Sequence, residues 1–382
     1  MDSTSGKILR RLLREGRVSR AELAEGLGIS RAAVSAVTDH LMGEGLIRVS
    51  GIGESRGGKP PVMLSIEPDA FHVIGLDIGS GTLLRGLRWN AAGETVQQVE
   101  LPFRNTFEEI LEKSACLIRE LAGWEPRVRI AGICAAVSGI VDREKNEVHL
   151  SANFPLAGKH FADCLGEKCG YEILLENRSR VSAECERYFG AAKGCGDFLF
   201  VTAEKSIGST LYSNGRLFQG WNGAAGEIRS IPVLVDGMLM PLEKALDESR
   251  ILRSAGTRYH SEEELFSAFE KGDVEADSVC RGILEASAGG IAVAVNLTDP
   301  ELVILGGRFR SFGERFLREF REGLERLAPS VYGKRRVVYS AVGRDGALKG
   351  AALAALLKQT ENMRSLTTSE GRKISRRKDH KT

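Results

Sequence analysis

The chain has 382 residues, 42% of them hydrophobic, a formal net charge of +2 and seven cysteines, enough to bury cores in roughly two to three domains. No apolar run of about 18 residues suggests a bilayer span, and Met1-Asp2-Ser3-Thr4 lacks the basic-then-apolar order of a secretory signal, so a cytoplasmic protein with reduced thiols, not membrane-bound, is expected. The small net charge hides an uneven distribution: residues 1–66 carry ten basic and seven acidic side chains, residues 363–382 seven and two, and the stretch between them 36 and 42, which directs the termini rather than the centre toward polyanions.

The first elements are helical. Ile8, Leu9, Leu12 and Leu13 recur at helical spacing with Arg10, Arg11 and Arg14 between them, and this amphipathic helix stops near Gly16. Ser19 followed by Glu22 matches a capping box and starts a second helix that ends at Gly26-Leu27-Gly28. Ser30 then caps a third helix whose Val34, Val37 and Leu41 are expected to form one buried stripe. Two helices joined by a short glycine-containing turn are the helix-turn-helix arrangement, in which the N-terminal side chains of the later helix reach base edges in the major groove. Ser30, Arg31, Ala32, Ser35 and Ala36 lie off the stripe and are the candidate DNA contacts. Arg31 leads because its planar fork can engage guanine or phosphate with two hydrogen bonds. Strands at 46–49 and 62–66 flank a glycine-rich loop carrying Arg56 and Lys59, read as a wing that touches the sugar-phosphate backbone.

Beyond Pro68 the pattern turns to α/β. Residues 73–84 read as strand, glycine turn, strand, with a continuation through Trp89; a helix follows at 107–122. Residues 130–139 form a near-continuous apolar strand, implying burial on both faces. A strand at 171–175 ends at Glu176-Asn177-Arg178, before a helix at 179–189. Strands at 197–203 and 207–213, helices near 277–298 and 312–327, and the strand 302–305 ending at Gly306-Gly307 make a second lobe.

Taken together, Asp77-Ile78-Gly79-Ser80-Gly81-Thr82, Glu176-Asn177, Gly220-Trp221-Asn222-Gly223-Ala224-Ala225-Gly226-Glu227-Ile228 and Gly306-Gly307, in this order behind the N-terminal helices, resemble the ROK family, whose name joins repressors, open reading frames and sugar kinases. The resemblance runs from Ser5 to about Leu357. It implies a winged helix-turn-helix (1–68) followed by two actin-like (ribonuclease H-like) α/β lobes of a sugar-kinase fold (69–189 and 190–345), with a last helix (346–358) packed back on the first lobe. The basic tail 359–382 has too few apolar residues to fold alone and is expected to be disordered.

Departures from the family pattern direct the functional reading. Family kinases place an Asp directly after the Glu-Asn pair as general base; here Arg178 stands there, and a guanidinium cannot accept a proton near neutral pH. Glu204 and Thr210 replace glycines of the second phosphate turn, which argues against ATP binding. The family's zinc ligands are missing between Arg229 and Pro241, so no metal and no cofactor is expected. By resemblance, Asn153, Asn177, Glu227 and Glu243 match positions that bind sugar hydroxyls, and Ser138 and Gly139 lie at the same cleft as candidate effector residues. Arg178 either recognises an anionic sugar or forms a salt bridge with Glu176, Glu227 or Glu243. The expected protein is a regulator, a homodimer or homotetramer on a pseudo-palindromic operator in double-stranded DNA, answering to a sugar or anionic sugar effector. The alternatives are a sugar kinase with an added DNA-binding domain and a regulator with a dead pocket.

Overall fold

The computed structural model describes residues 3–54, 60–79, 81–151, 153–221, 223–331 and 333–362. The N-terminal unit contains α1 (Thr4–Glu15), β1 (Val18–Ser19), α2 (Arg20–Leu27), α3 (Arg31–Gly43), β2 (Ile47–Ile52) and β3 (Val62–Ile66). Its strands pair antiparallel in the order β1-β3-β2. The capping box is present: the Ser19 hydroxyl accepts from Glu22 N, and the Glu22 carboxylate accepts from Ser19 N at 2.9 Å.

The first lobe follows with β4 (His72–Ile78), β5 (Leu83–Asn90), β6 (Thr95–Pro102), α4 (Phe107–Gly123), β7 (Ile130–Val137), β8 (Ile140–Asp142), β9 (Glu147–Leu150), α5 (Phe161–Cys169), β10 (Ile173–Asn177) and α6 (Arg178–Phe189). The second contains β11 (Phe198–Ala203), β12 (Ile207–Ser213), β13 (Arg216–Leu217), β14 (Pro232–Val235), β15 (Met238–Pro241), α7 (Leu242–Ala245), α8 (Glu248–Ser254), α9 (Glu262–Glu270), α10 (Val274–Thr298), β16 (Leu302–Gly307), α11 (Gly313–Leu327) and β17 (Arg336–Tyr339). The chain closes on α12 (Gly346–Asn362). Among the described residues the two lobes carry sheets of one pattern, β10-β7-β4-β5-β6 and β17-β16-β11-β12-β13. In each, three parallel strands are extended by two antiparallel ones. The carboxyl ends of the parallel strands are where ligand crevices form in such sheets.

α12 binds these parts together. Its Leu348, Ala352 and Leu356 share one core with Val73 of β4 and with Ile8, Leu12, Leu23 and Val34 of the winged helix. Only Glu67 to Phe71 separate β3 from β4, so the winged helix is packed on the first lobe and not hung on a long linker. Close backbone approach makes this possible. A Cβ at Gly75 of β4 would stand 2.5 Å from Ala352 N, and one at Gly350 of α12 would overlap the Val181 carbonyl oxygen of α6.

A buried guanidinium fixes the far side of β5. Arg88 donates to the carbonyls of Leu121 (2.7 Å), Ala122 (3.2 Å), Glu125 (3.0 Å) and Val128 (3.3 Å), closing the C-terminal end of α4. Its Nε donates to Nδ1 of His72 at 2.7 Å. Burial, then the charge of Arg88, holds the His72 imidazole below its usual pKa, against the pull of Asp69 and Glu125.

Some expectations need correction. The buried stripe of α3 is Val34, Thr38 and Leu41, and Val37 is half-buried, because positions four and seven residues on lie under Val34. Contrary to the expectation for apolar runs, α10 is long and apolar enough by length and composition to cross a membrane; 56% of its most apolar window is buried within the protein, where Ile283, Ile291 and Val295 pack into the second lobe. The last helix runs past 358 to Asn362, and residues 363–382 lie outside the described residues. All seven cysteines are free thiols.

Gly350→Ala is expected to cost about 1–3 kcal/mol or more, as overpacking against backbone does, whereas Gly282→Ala in α10, where a Cβ meets nothing within 4 Å, is expected to be neutral or slightly stabilising; urea denaturation of both variants checks this. With His72 depressed in the folded chain and near 6.5 when unfolded, the unfolded state takes up the proton first. This contribution is therefore complete above pH 6.5 and declines as pH falls below it. Unfolding midpoints followed from about pH 8 to about pH 5 should fall less steeply in His72→Asn than in the parent chain, and parallel curves would refute the assignment.

Candidate nucleic-acid interface and ligand cleft

On α3, Ser30 caps the helix by accepting from Ala33 N at 3.2 Å, and Ser30, Arg31, Ala32 and Ala36 are exposed, with Ser35 half-buried. The expected contact residues thus lie at the N-terminal end of α3, exposed or half-buried and outside the buried stripe of Val34, Thr38 and Leu41. Arg20, at the start of α2, holds this helix in place: its Nε donates to Thr38 Oγ1 at 2.9 Å and its NH2 to Asp39 Oδ1 at 2.7 Å, while Thr38 Oγ1 donates to the Ser35 carbonyl. At the wing base Gly53 N donates to the Pro61 carbonyl at 2.8 Å, and Arg17 donates to the Ser50 carbonyl at 2.6 Å. Arg56 and Lys59 lie outside the described residues.

The ligand cleft opens where β4, β7 and β10 end, facing the β11–β12 turn of the second lobe. The expected effector residues divide between two adjoining cavities that share Glu204, Ser206 and Ile207. Ser138, Gly139, Asn177, Arg178 and Glu227 line a space of about 60 Å³; Asn153 and Glu243 line one of about 480 Å³, together with Gly81, Lys205, Asp247, Glu248 and Arg308.

Arg178 occupies the middle of this arrangement, and its partner is none of those expected. Its Nε donates to Asp77 Oδ1 at 2.7 Å and its NH2 to Asp77 Oδ2 at 3.3 Å, with Asp77 fully buried and the Arg178 side chain 12% exposed. Glu176 is paired instead with Arg143, Glu227 with Arg229 at 3.2 Å, and Glu243 accepts from the Ser206 hydroxyl. Burial works against the charge of Arg178, but Asp77 and then Glu204 outweigh it and hold the guanidinium ionised, above its ordinary pKa. Glu204 is itself pushed up by burial, with Arg178 opposing. The Arg178 stem lies over the first glycine turn, since a Cβ at Gly79 would stand 2.6 Å from its Cδ. A nucleotide phosphate approaching that turn therefore meets the Arg178 side chain, already paired with Asp77, and Glu204 beside it.

Asn177 is committed to the fold. Its Oδ1 accepts from Arg180 N (3.1 Å) and Ser179 Oγ (2.6 Å), capping α6, and its Nδ2 donates to the Gly139 carbonyl at 2.6 Å. Asn153 accepts at its backbone carbonyl from Asn105 Nδ2 and leaves its side chain at the larger cavity. Sequence reasoning missed Arg308, held by Glu262 and by the Leu246 carbonyl at 2.6 Å, although a basic residue directly after Gly306-Gly307 was a usable signal. It also missed Asp247, which caps α8 by accepting from Arg250 N at 3.0 Å. Where the resemblance places zinc ligands, the chain forms the β14–β15 hairpin, turned at Asp236-Gly237 with both residues at positive φ, as a two-residue hairpin turn requires.

Comparison with known proteins places these features in context. The model of the ROK family matches residues 73–359, and a model described as winged helix-turn-helix DNA-binding matches residues 1–48. The xylose repressor of Caldicellulosiruptor bescii is 28% identical over 341 residues, covering 82% of this chain and 85% of the relative. The glucokinase of Thermotoga maritima is also 28% identical, over 311 residues, covering 74% of this chain and 96% of that enzyme. Among solved structures, a ROK family transcriptional regulator, homolog of the E. coli MLC protein, superposes with a TM-score of 0.77 at 20% identity, covering 93% of this chain and 95% of the other; at that identity the likeness speaks for the fold.

The buried pair yields a stability test. Arg178→Ala leaves Asp77 buried without a counter-charge and is expected to cost about 3–5 kcal/mol, whereas Asp77→Asn combined with Arg178→Met should cost less than the two single changes added. A double-mutant cycle in urea measures this, and additive costs would show that the two groups do not act as a pair.

Proposed function

We propose, for a chain that belongs to the ROK family, a regulator in which the sugar-kinase scaffold has lost its chemistry and kept its cleft. The protein is a DNA-binding transcriptional regulator of sugar-related genes, with a repressor among its relatives. The observation that carries the loss of catalysis is Arg178 clamped on Asp77. The position from which a carboxylate would take the sugar hydroxyl proton holds a permanent cation, and the aspartate of the first phosphate turn is neutralised by it.

The same pair bears on the effector. With Arg178 bound to Asp77 and Arg229 to Glu227, the cleft offers no uncommitted guanidinium at Arg178 for an anionic sugar. The larger cavity carries Glu204, Glu243, Asp247 and Glu248 against Lys205 and Arg308. A neutral sugar, with hydroxyls that can donate to carboxylates and accept from amides, suits this lining better than a phosphorylated or acidic one. Asn153 and Glu243 are the residues proposed to hold it, with Ser138, Gly139 and Glu227 bounding its inner end. The relative named as a xylose repressor carries in that name a sugar of this neutral class.

On DNA, Arg31 with Ser30, Ala32, Ser35 and Ala36 is proposed to read the major groove, and Arg56 and Lys59 to meet phosphates beside it. Two copies on the halves of a pseudo-palindrome would supply the affinity that one module lacks. An effector binding the closed cleft better than the open one would shift the spacing of those copies.

Fluorescence anisotropy on DNA from the gene's own upstream region tests this reading. Specific binding is expected, with Arg31→Ala weakening it about tenfold to a hundredfold while changing binding to unrelated duplex little. A neutral pentose or hexose should change the affinity and a sugar phosphate should not. Specific binding indifferent to every sugar would indicate a dead pocket. Formation of sugar phosphate from ATP and Mg²⁺ would instead revive the kinase reading that the glucokinase relative represents.

A further inference from the structure

Arg20, the first residue of α2, meets α3 at two places that differ in kind. Thr38 is fully buried. Its Oγ1 donates to the Ser35 carbonyl at 3.0 Å and accepts from Arg20 Nε at 2.9 Å, so that a buried hydroxyl has both a donor and an acceptor. At the other end of the fork, Nη2 donates to Asp39 Oδ1 at 2.7 Å, where the Asp39 side chain is 64% and the Arg20 side chain 32% exposed. An ion pair that open to water adds little stability, and Thr38 already joins the two helices. The Asp39 bond instead fixes the direction of a charged fork at the surface. A guanidinium has five N–H donors, and the two bonds to α3 leave three for a further acceptor.

The fork sits at a defined place on the recognition helix. Arg31, Ser35 and Asp39 follow at intervals of four and lie in one row along α3. At a rise of about 1.5 Å per residue, Asp39 stands about 12 Å along the axis from Arg31, close to the width of the major groove, about 12 Å. With Arg31 at the bases, the far end of the row has reached the groove wall, and that wall is phosphate. In a helix-turn-helix the earlier helix is the one that crosses the backbone, and Arg20 opens it. The neighbouring Glu22 carboxylate accepts from Ser19 N and Oγ in the cap. Asp39 is therefore the carboxylate with which a phosphate competes for Arg20.

We propose that Arg20 is a phosphate-binding residue of the DNA interface, aimed by Asp39, and that Thr38 is a positioning residue that sets this phosphate contact against the base contacts of α3. The proposal rests on the reading of α3 as the recognition helix. A phosphate neutralised by Arg20 releases a counterion whatever the base sequence, so this contact is salt-sensitive and serves any duplex. Thr38 carries no charge and is buried away from DNA. It acts only through the angle between Arg20 and α3, hence on the alignment of backbone contact with base contact. Affinity for any duplex thus falls to Arg20, and discrimination between sequences to Thr38.

The experiment titrates the parent chain, Arg20→Met, Arg20→Lys, Thr38→Val and Asp39→Asn on DNA from the gene's own upstream region and on an unrelated duplex, across a KCl series, with the thermal midpoint of each chain recorded. In Arg20→Met the slope of log affinity against log salt should become shallower by about 0.9 on both duplexes, a loss of about fivefold in affinity near 0.15 M KCl. Arg20→Lys keeps the charge and should recover the slope, but an ammonium lacks the fork that spans Thr38 and Asp39, so the ratio of upstream to unrelated binding should stay reduced. Thr38→Val should keep the slope and lower that ratio. Asp39→Asn can still accept from Nη2 without competing as a charge, and should tighten binding to both duplexes. An unchanged slope in Arg20→Met would show an internal clasp only and overturn the phosphate contact; should that variant lose its thermal transition, unchanged or weaker binding by Asp39→Asn overturns it instead. A parental ratio in Thr38→Val overturns the positioning role. A parent chain that does not distinguish upstream from unrelated DNA overturns the reading of α3, while the slope of Arg20→Met still scores the phosphate contact, and binding to neither duplex overturns both.

Discussion

The structure depends on a close approach of three backbones. α12 lies against β4 on one side and α6 on the other, and it can do so only because Gly75 and Gly350 carry no side chain at the two points where the backbones meet. Dispersion and apolar burial fall away steeply with a gap of about half an ångström, so a helix held off by a methyl would lose packing along its whole length. In this position α12 contributes to the first lobe's core and to that of the winged helix at once. The DNA-binding unit therefore has no core separate from that of the first lobe, although the lobe also holds a second core of its own residues alone.

That continuity restricts how a signal can travel. α6 begins at Arg178 in the cleft and ends at Phe189, whose ring meets Trp89 edge-on at 5.9 Å; α12 begins beside the cleft at Gly346 and ends against α1. Both helices run from the cleft toward the winged helix, yet both belong to one packed body, and packed interiors transmit displacement with little internal give. The second lobe, by contrast, packs around a core composed of its own residues. On the proposed reading, a sugar between Asn153 of the first lobe and Glu243 of the second would act on the angle between the lobes, and the winged helix would follow the first. If two copies pair as proposed, the angle between lobes would become a distance between recognition helices, which a duplex of fixed helical repeat would read as affinity.

Much of the fold was legible because its signals are local. Capping residues, glycine turns and apolar periods act within a few positions, and Ser19, Ser30, Gly16 and the strands around Asp77 and Val137 all declare themselves that way. What escaped was either weakly patterned or remote in sequence. β6 is an edge strand in which Gln97 and Gln98 interrupt the alternation, so its period is blurred. A valine at position 37 looks apolar and draws the expected stripe to itself, whereas the helix repeat places Thr38 inward, with its hydroxyl satisfied by Arg20 and by the Ser35 carbonyl. The end of α12 runs into the polar tail because its last turn is anchored by α1, at the opposite end of the chain, and not by its own composition.

Arg178 shows the same limit at the site. Its residue type alone excluded a general base, and that required no structure. Its partner could not be read: Asp77 is 101 residues earlier, and Glu176, Glu227 and Glu243 were chemically equal candidates until the strand ends were brought together. The geometry also decides between two opposed pulls. An arginine in a sugar cleft invites an anion, but a guanidinium already bidentate on a fully buried carboxylate has much of its charge compensated by that partner, so an incoming anion would compete with Asp77 for it. Arg178 consequently acts as the internal counter-ion of Asp77, and on the proposed reading recognition in the cleft would pass to the uncharged and acidic groups around it.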